Sequence, residues 1–176
     1  MARRELTGVL LVGGASTRFG SPKALARYEG ETLAERAWRL LGETCDERIA
    51  VGKAEHALPF DVVTDGTGIR APIAGVVAGL RVARHDLAVV IPVDMPLLTA
   101  AALRELADRC LDVAYPQTGP LPGAYRRTAL ASLQEALDRG ELSLRRAVGG
   151  LDAAVVTLEE RILLNVNEPA DLDKLG

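Results

Sequence analysis

The sequence predicts an α/β fold, a three-layer α/β/α sandwich around a mostly parallel sheet. Two patterns predict it. Apolar runs of strand length alternate with segments of helical period along the chain. One of those runs, Leu87-Ala-Val-Val-Ile91, is apolar at every position, as expected of a strand covered on both faces. The 176 residues show no repeat, low-complexity tract or linker. A chain of that length buries roughly 70% of its unfolded surface, so one domain spanning residues 1–176 is expected.

The elements follow in order. Val9-Leu-Leu-Val12, closed by Gly13-Gly14, marks a buried strand from about Leu6 to Val12. Glu31 to Leu41 sets Leu33, Ala37, Trp38, Leu40 and Leu41 at helical spacing, with Glu35 and Arg39 as an i,i+4 pair. Strands are expected at Arg48–Val51 and Asp61–Thr64. Pro72 suits the first turn of a helix running to Arg84. Gly75 and Gly79 cost that helix about 1 kcal/mol each relative to alanine, yet they share a face and allow close backbone packing. After the Leu87–Ile91 strand, Thr99 caps a helix to about Arg109. Leu111–Tyr115 reads as a strand, Leu130–Leu137 as helix and Ala153–Leu158 as a late strand, before a short helix from about Glu168.

Composition excludes several classes of function. The 21 basic residues are balanced by 24 acidic ones, for a net charge of -3, which argues against a protein that coats nucleic acid. Aromatic residues make up 3%, too few for a single-strand stacking platform. Cys45 and Cys110 lack metal or redox spacing and read as reduced, buried thiols. His56 and His85 are too isolated for a zinc site. The apolar stretch Leu6–Val12 is too short for a membrane span and carries no cleavage pattern, so a cytoplasmic protein without a membrane partner is expected.

Three segments carry candidate chemistry. The first, Leu11-Val-Gly-Gly-Ala-Ser-Thr-Arg-Phe-Gly-Ser-Pro-Lys23, fits neither a Walker A loop nor the dinucleotide GxGxxG fingerprint. It offers a glycine-rich loop with Arg18 and Lys23, at the carboxyl edge where open α/β sheets bind ligands. Glycines let backbone N–H groups approach phosphate oxygens, and the two cations would neutralise them. An ordinary turn with surface charges is the plainer alternative; Lys23 being one of only three lysines, with Lys53 and Lys174, weighs against it. The second segment, Val89-Val-Ile-Pro-Val-Asp-Met-Pro96, places Asp94 just past a buried strand. Its carboxylate is a hard oxygen ligand suited to Mg²⁺ shared with substrate phosphates, or else it closes an Asx-type turn.

In the third segment, Asn165-Val-Asn-Glu-Pro169, Asn167 is a natural N-cap with Glu168 and Pro169 in the first turn. Capping does not account for Asn165. That the only two asparagines stand in one motif points to a neutral polar contact with a ligand. Asp65-Gly66 reads as a turn, and Ala71-Pro-Ile-Ala-Gly75 opens a helix whose first N–H groups could meet an anion.

Taken together, Leu11-Val-Gly-Gly14, Arg18-Phe-Gly20 and Lys23 resemble the opening signature of the nucleotidyltransferase superfamily that activates small phosphorylated or sugar-like substrates. Pro72-Ile-Ala-Gly75, Pro92-Val-Asp-Met-Pro96 and Asn165-Val-Asn-Glu-Pro169 are similar to later motifs of one branch, the molybdenum cofactor guanylyltransferases or MobA family. The resemblance implies a Rossmann-like sandwich of nucleotidyltransferase type. It implies that Leu11, Val12, Gly13 and Gly14 line a guanine nucleotide, that Lys23 contacts its phosphates and that Asp65 helps bind GTP. Asp94 would hold Mg²⁺, or Mn²⁺ in its place, and Asn165 and Asn167 would lie toward the molybdopterin. Arg18, Lys23 and Asp94 are then the catalytic candidates. The family usually has Ala where Val12 stands. It often has a nucleotide-contacting Asn after the second strand, where this chain has Val51-Gly-Lys53, and Lys53 is the candidate replacement.

The activity implied is transfer of GMP from GTP to the phosphate of molybdopterin or the molybdenum cofactor, with proteins that deliver and collect the cofactor as partners. A cytidylyltransferase for the same cofactor and a sugar- or polyol-phosphate nucleotidyltransferase are the enzyme rivals. A non-catalytic nucleotide carrier is the rival of another class; it would have no need of a metal ligand at Asp94.

Overall fold

The structure, a computed structural model, describes residues 5–13, 22–53 and 57–176. Strand β1 (Thr7–Leu11) is followed by a small antiparallel pair, β2 (Arg27–Tyr28) and β3 (Glu31–Thr32), and by helix α1 (Leu33–Thr44). Next come β4 (Glu47–Gly52), β5 (Val62–Thr64), α2 (Pro72–Val82) and β6 (Leu87–Pro92). Helix α3 (Ala100–Arg109), β7 (Val113–Pro116), β8 (Gly123–Arg126) and α4 (Leu130–Asp138) follow. The chain closes with α5 (Leu144–Ala147), β9 (Ala153–Val156) and α6 (Pro169–Asp173).

Seven strands form one sheet in the order β5-β4-β1-β6-β8-β7-β9. All neighbours are parallel except β8, which runs antiparallel to both β6 and β7. Alternation along each strand divides the core into two layers. Val9, Leu11, Ala88 and Val90 pack with α2 and α4 on one face, while Leu10, Val89 and Ile91 pack with α1 and α3 on the other. The α/β/α sandwich expected from the alternating pattern is therefore present. Cys45 and Cys110 are both buried, and neither forms a disulfide. Among the described residues, no helix is long and apolar enough to cross a membrane.

The bare face of α2 has the predicted use. A Cβ at Gly79 would stand 2.6 Å from Val9 Cγ1, and one at Gly75 2.8 Å from Leu11 Cδ2. The helix thus lies directly on β1 and is buried from Ile73 to Leu80.

Three expectations are corrected. Strand β8 was not foreseen, because Gly-Ala-Tyr-Arg carries no apolar run; it is buried by its place between β6 and β7. Glu35 and Arg39 do not pair. Glu35 closes a capping box with Thr32, and Arg39 turns to Glu31 at 2.8 Å and Glu43 at 3.0 Å. Helix α2 ends at Val82 instead of Arg84, with Ala83 extended.

Candidate active site

The carboxyl ends of β5, β4, β1 and β6 stand side by side, so the segments that follow them share one edge. Three strand spacings separate β5 from β6, roughly 14 Å. Along this edge lies a cavity of about 370 Å³, lined by Leu11, Val12 and Gly13, by Lys23, and by Lys53, Asp65 and Asp94. It sits beyond the carboxyl ends of parallel strands, where open α/β sheets bind ligands. Gly14 and Arg18 lie outside the described residues, as does His56.

The floor is made by the end of β1. The Val12 N–H donates to the Val51 carbonyl at 3.0 Å, and the Val93 N–H donates to Leu11 at 3.2 Å, so neighbouring strands hold the loop start on both sides. Gly52 permits this approach: a Cβ there would stand 2.8 Å from Val12 Cγ2 and 2.9 Å from the Gly13 nitrogen. Sequence reasoning did not single out Gly52; a glycine immediately after the apolar run of β4 was the available signal.

Lys23 opens a short 3₁₀ turn, Lys23–Leu25, seated by buried Ala24. Its Nζ reaches Asp94 Oδ2 at 3.2 Å and Asn167 Oδ1 at 3.5 Å. Residues from the first loop, from beyond β6 and from the C-terminal segment thereby meet at one ammonium. Asp94 is also tied through its backbone, since the Val166 N–H donates to its carbonyl at 2.8 Å.

The other Asp94 oxygen, Oδ1, is buried and has no hydrogen-bond partner among the described residues. An orphaned carboxylate oxygen is costly unless a donor or cation meets it. A hard-oxygen ligand at the edge of this cavity suits Mg²⁺, which is typically held by one or two carboxylates plus substrate phosphates. Asp94 therefore fits the ion that the sequence implied.

Asn167 is not the N-cap. That position belongs to Glu168, and the Asp171 carboxylate accepts the N–H groups of both Asn167 and Glu168, at 2.9 and 3.1 Å. Those bonds, with Lys174 close by, hold the Asp171 carboxyl below the usual range. The Asn167 side chain is left to reach Lys23. Asn165 is exposed two residues earlier.

At the other end of the cavity Lys53 and Asp65 are partners. Lys53 Nζ lies 3.1 Å from each Asp65 oxygen and 2.8 Å from the Thr67 carbonyl. Asp65 Oδ1 also accepts the Thr67 N–H at 3.0 Å, the Asx turn expected of Asp65-Gly66. Arg70, Ala71 and Pro72 continue the lining into the start of α2.

Two Lys–Asp pairs, Lys23 with Asp94 and Lys53 with Asp65, line a cleft at the carboxyl edge of a mostly parallel sheet, the place and charge pattern of an α/β enzyme. The chain belongs to the MobA-like NTP transferase family, whose domain model matches residues 8–155. It is therefore a nucleotidyltransferase.

It is 35% identical over 190 aligned residues to the probable molybdenum cofactor guanylyltransferase of Chloroflexus aggregans, covering 95% of this chain and 91% of that protein. To the protein of the same description from Opitutus terrae it is 37% identical, covering 96% and 94%. Among solved structures it is similar to molybdopterin-guanine dinucleotide biosynthesis protein A of Archaeoglobus fulgidus. That likeness has a TM-score of 0.81 at 22% identity, covers 96% of each chain, and is a likeness of fold.

Proposed function

We propose that the protein transfers GMP from GTP to the terminal phosphate of molybdopterin or the molybdenum cofactor. The products are the guanine dinucleotide form of the cofactor and pyrophosphate. One observation carries this reading: the paired Lys23 and Asp94, with Asp94 Oδ1 unpartnered, beside a nucleotide-sized cavity. The names of the relatives at 35% and 37% identity support the choice of guanine and of the pterin acceptor.

In the reaction, an oxygen of the acceptor phosphate attacks the α-phosphorus of GTP. A new P–O bond forms as the bond to the oxygen bridging the β-phosphorus breaks, and pyrophosphate leaves with that electron pair. The nucleophile is already ionised at neutral pH, so the site needs no strong general base. Its work is positioning and charge neutralisation.

Lys23, together with Arg18, offsets the charge that grows on the pyrophosphate. Asp94 is the residue that would hold Mg²⁺, or Mn²⁺ in its place, with the nucleotide phosphates, and the ion would add a further positive charge there. Leu11, Val12, Gly13 and Gly14 line the nucleotide, and Asp65 bounds its far end. Asn165 and Asn167 serve the acceptor side, with Asn167 already joined to Lys23. A cytoplasmic setting, and hand-over of the cofactor by partner proteins, complete the proposal.

The test is thermal unfolding with GTP, CTP, ATP and UTP, each with and without Mg²⁺, followed by pyrophosphate release with the pterin acceptor. A ligand at a hundred times its dissociation constant adds about 2.7 kcal/mol of stability. Stabilisation by GTP alone, and GTP-dependent release, are expected. Preference for CTP would give the site to a cytidylyltransferase. Nucleotide binding without pyrophosphate release would overturn the transferase step.

A further inference from the structure

The geometry points to Lys53 as a positioning residue that fixes the outer wall of the nucleotide cavity by holding the Asp65–Thr67 turn. The inference rests on the nucleotide reading of the cavity and concerns a residue that stands where relatives of the resembled family often have Asn.

An ammonium has three N–H donors. At Lys53 three acceptors stand within reach, Asp65 Oδ1 and Oδ2 at 3.1 Å and the Thr67 carbonyl at 2.8 Å. All three belong to one turn: the two oxygens of the Asp65 carboxylate share one N–H and the Thr67 carbonyl takes another, so Lys53 grips the turn at two points.

That turn needs an anchor. Strand β5 is three residues long, stands at the edge of the sheet and pairs only with β4. Gly66, Thr67 and Gly68 are exposed, and Gly66 takes φ +69. From here the chain runs through Ile69, Arg70 and Ala71 into α2, and all three line the cavity. A wall held by so short an edge strand would be free to shift. Lys53 secures it to the end of β4.

The same contact sets a charge. The Asp65 side chain is only 9% exposed. A carboxylate so enclosed is stable as an anion when a cation and hydrogen bonds meet it, and removing the cation leaves it uncompensated. Lys53 balances the Asp65 charge at this end of the cavity, whereas Lys23 meets Asp94 at the other. Lys53 also follows Gly52, which leans on Val12 and Gly13. One short segment therefore joins the floor of the cavity to its wall.

The experiment compares Lys53→Met and Lys53→Arg with the unaltered protein. GTP affinity is measured by calorimetry without acceptor, then KM is measured separately for GTP and for the pterin acceptor. Lys53→Met is expected to weaken GTP binding about tenfold, with KM for GTP rising in step and KM for the acceptor rising far less. Lys53→Arg, whose fork can reach both Asp65 oxygens, should recover most of the loss.

Lys53→Gln keeps one donor toward Asp65 and takes the place of Lys53→Met if that variant does not fold. GTP affinity within twofold of the unaltered protein would overturn the assignment. So would equal rises in the two KM values. Failure of the unaltered protein to bind GTP would overturn the guanylyltransferase reading instead, and is seen before any variant is made.

Discussion

Lys23 Nζ stands 3.2 Å from Asp94 Oδ2, while Oδ1 of the same carboxylate is buried and accepts no hydrogen bond among the described residues. One oxygen of the carboxylate is matched by the protein, and the other is enclosed without a donor among the described residues. Asp94→Asn should keep the fold and lose about 3–4 kcal/mol of transition-state stabilisation, two to three decades in rate. Pyrophosphate release measured beside thermal unfolding checks this. Near-normal release would remove Asp94 from the site.

Lys23→Ala should weaken GTP binding by about tenfold or more, the usual weight of a hydrogen bond to a charged group. GMP binding should suffer less, since the role proposed for the ammonium is at the outer phosphates. Calorimetric titration with both nucleotides decides it. Equal losses would mean that Lys23 does not reach the β- and γ-phosphates.

Gly79→Ala sets two effects against each other. Alanine favours the helix by about 1 kcal/mol, but its methyl group would stand 2.6 Å from Cγ1 of fully buried Val9. Overpacking of this kind costs about 1–3 kcal/mol, so a net loss of stability is expected. Gly75→Ala meets the end of the longer Leu11 side chain and should be milder. Denaturant midpoints rank the two.

Gly52→Ala should act on function more than on stability. Its new Cβ would stand 2.9 Å from the Gly13 nitrogen and push the cavity floor, not the core. Misplacement of a positioning surface by about 1 Å can cost a hundredfold in rate. The comparison is turnover against thermal midpoint. A large fall in midpoint with normal turnover would contradict the assignment of Gly52 to the floor.

Burial pushes the Cys110 thiol up from its ordinary 9.0 to about 11. The folded state favours the protonated form, so this contribution is full below pH 9 and is lost as pH rises through 11. The thermal midpoint should be flat with respect to this group in neutral solution and decline between those values. Cys110→Ala should reduce the slope of that decline. The enclosed hydroxyl of Tyr125, also raised by burial, leaves a remainder.

The central strands were legible because their chemistry is local. An all-apolar run such as Leu87–Ile91 has few other places to go, and Thr99 carries its own capping oxygen, which accepts the Ala102 N–H. Strand β8 was not legible, because its burial is conferred by β6 and β7, not by its own residues. The Glu35–Arg39 expectation used spacing alone and missed Thr32, whose N–H competes for the same carboxylate.

At the site, Lys23 and Asp94 could be picked out singly, as a scarce lysine after a glycine loop and an acid past a buried strand. Their meeting across 71 positions could not. Likewise Asn167 had an ordinary capping explanation until Asp171 was seen to hold its N–H. Lys53 and Asp65, which close the opposite end, carry no pairing signal that a single sequence exposes.

The bond from the Val166 N–H to the Asp94 carbonyl has a consequence for timing. On the ribosome the loop after β1, the acid after β6 and most of the sheet are made well before residue 166 exists. The peptide that fastens Asp94, and the Asn167 that reaches Lys23, emerge after them. A nascent chain that has reached β9 therefore has Asp94 without its Val166 bond and Lys23 without Asn167, and the cluster closes only when the segment beyond β9 folds back.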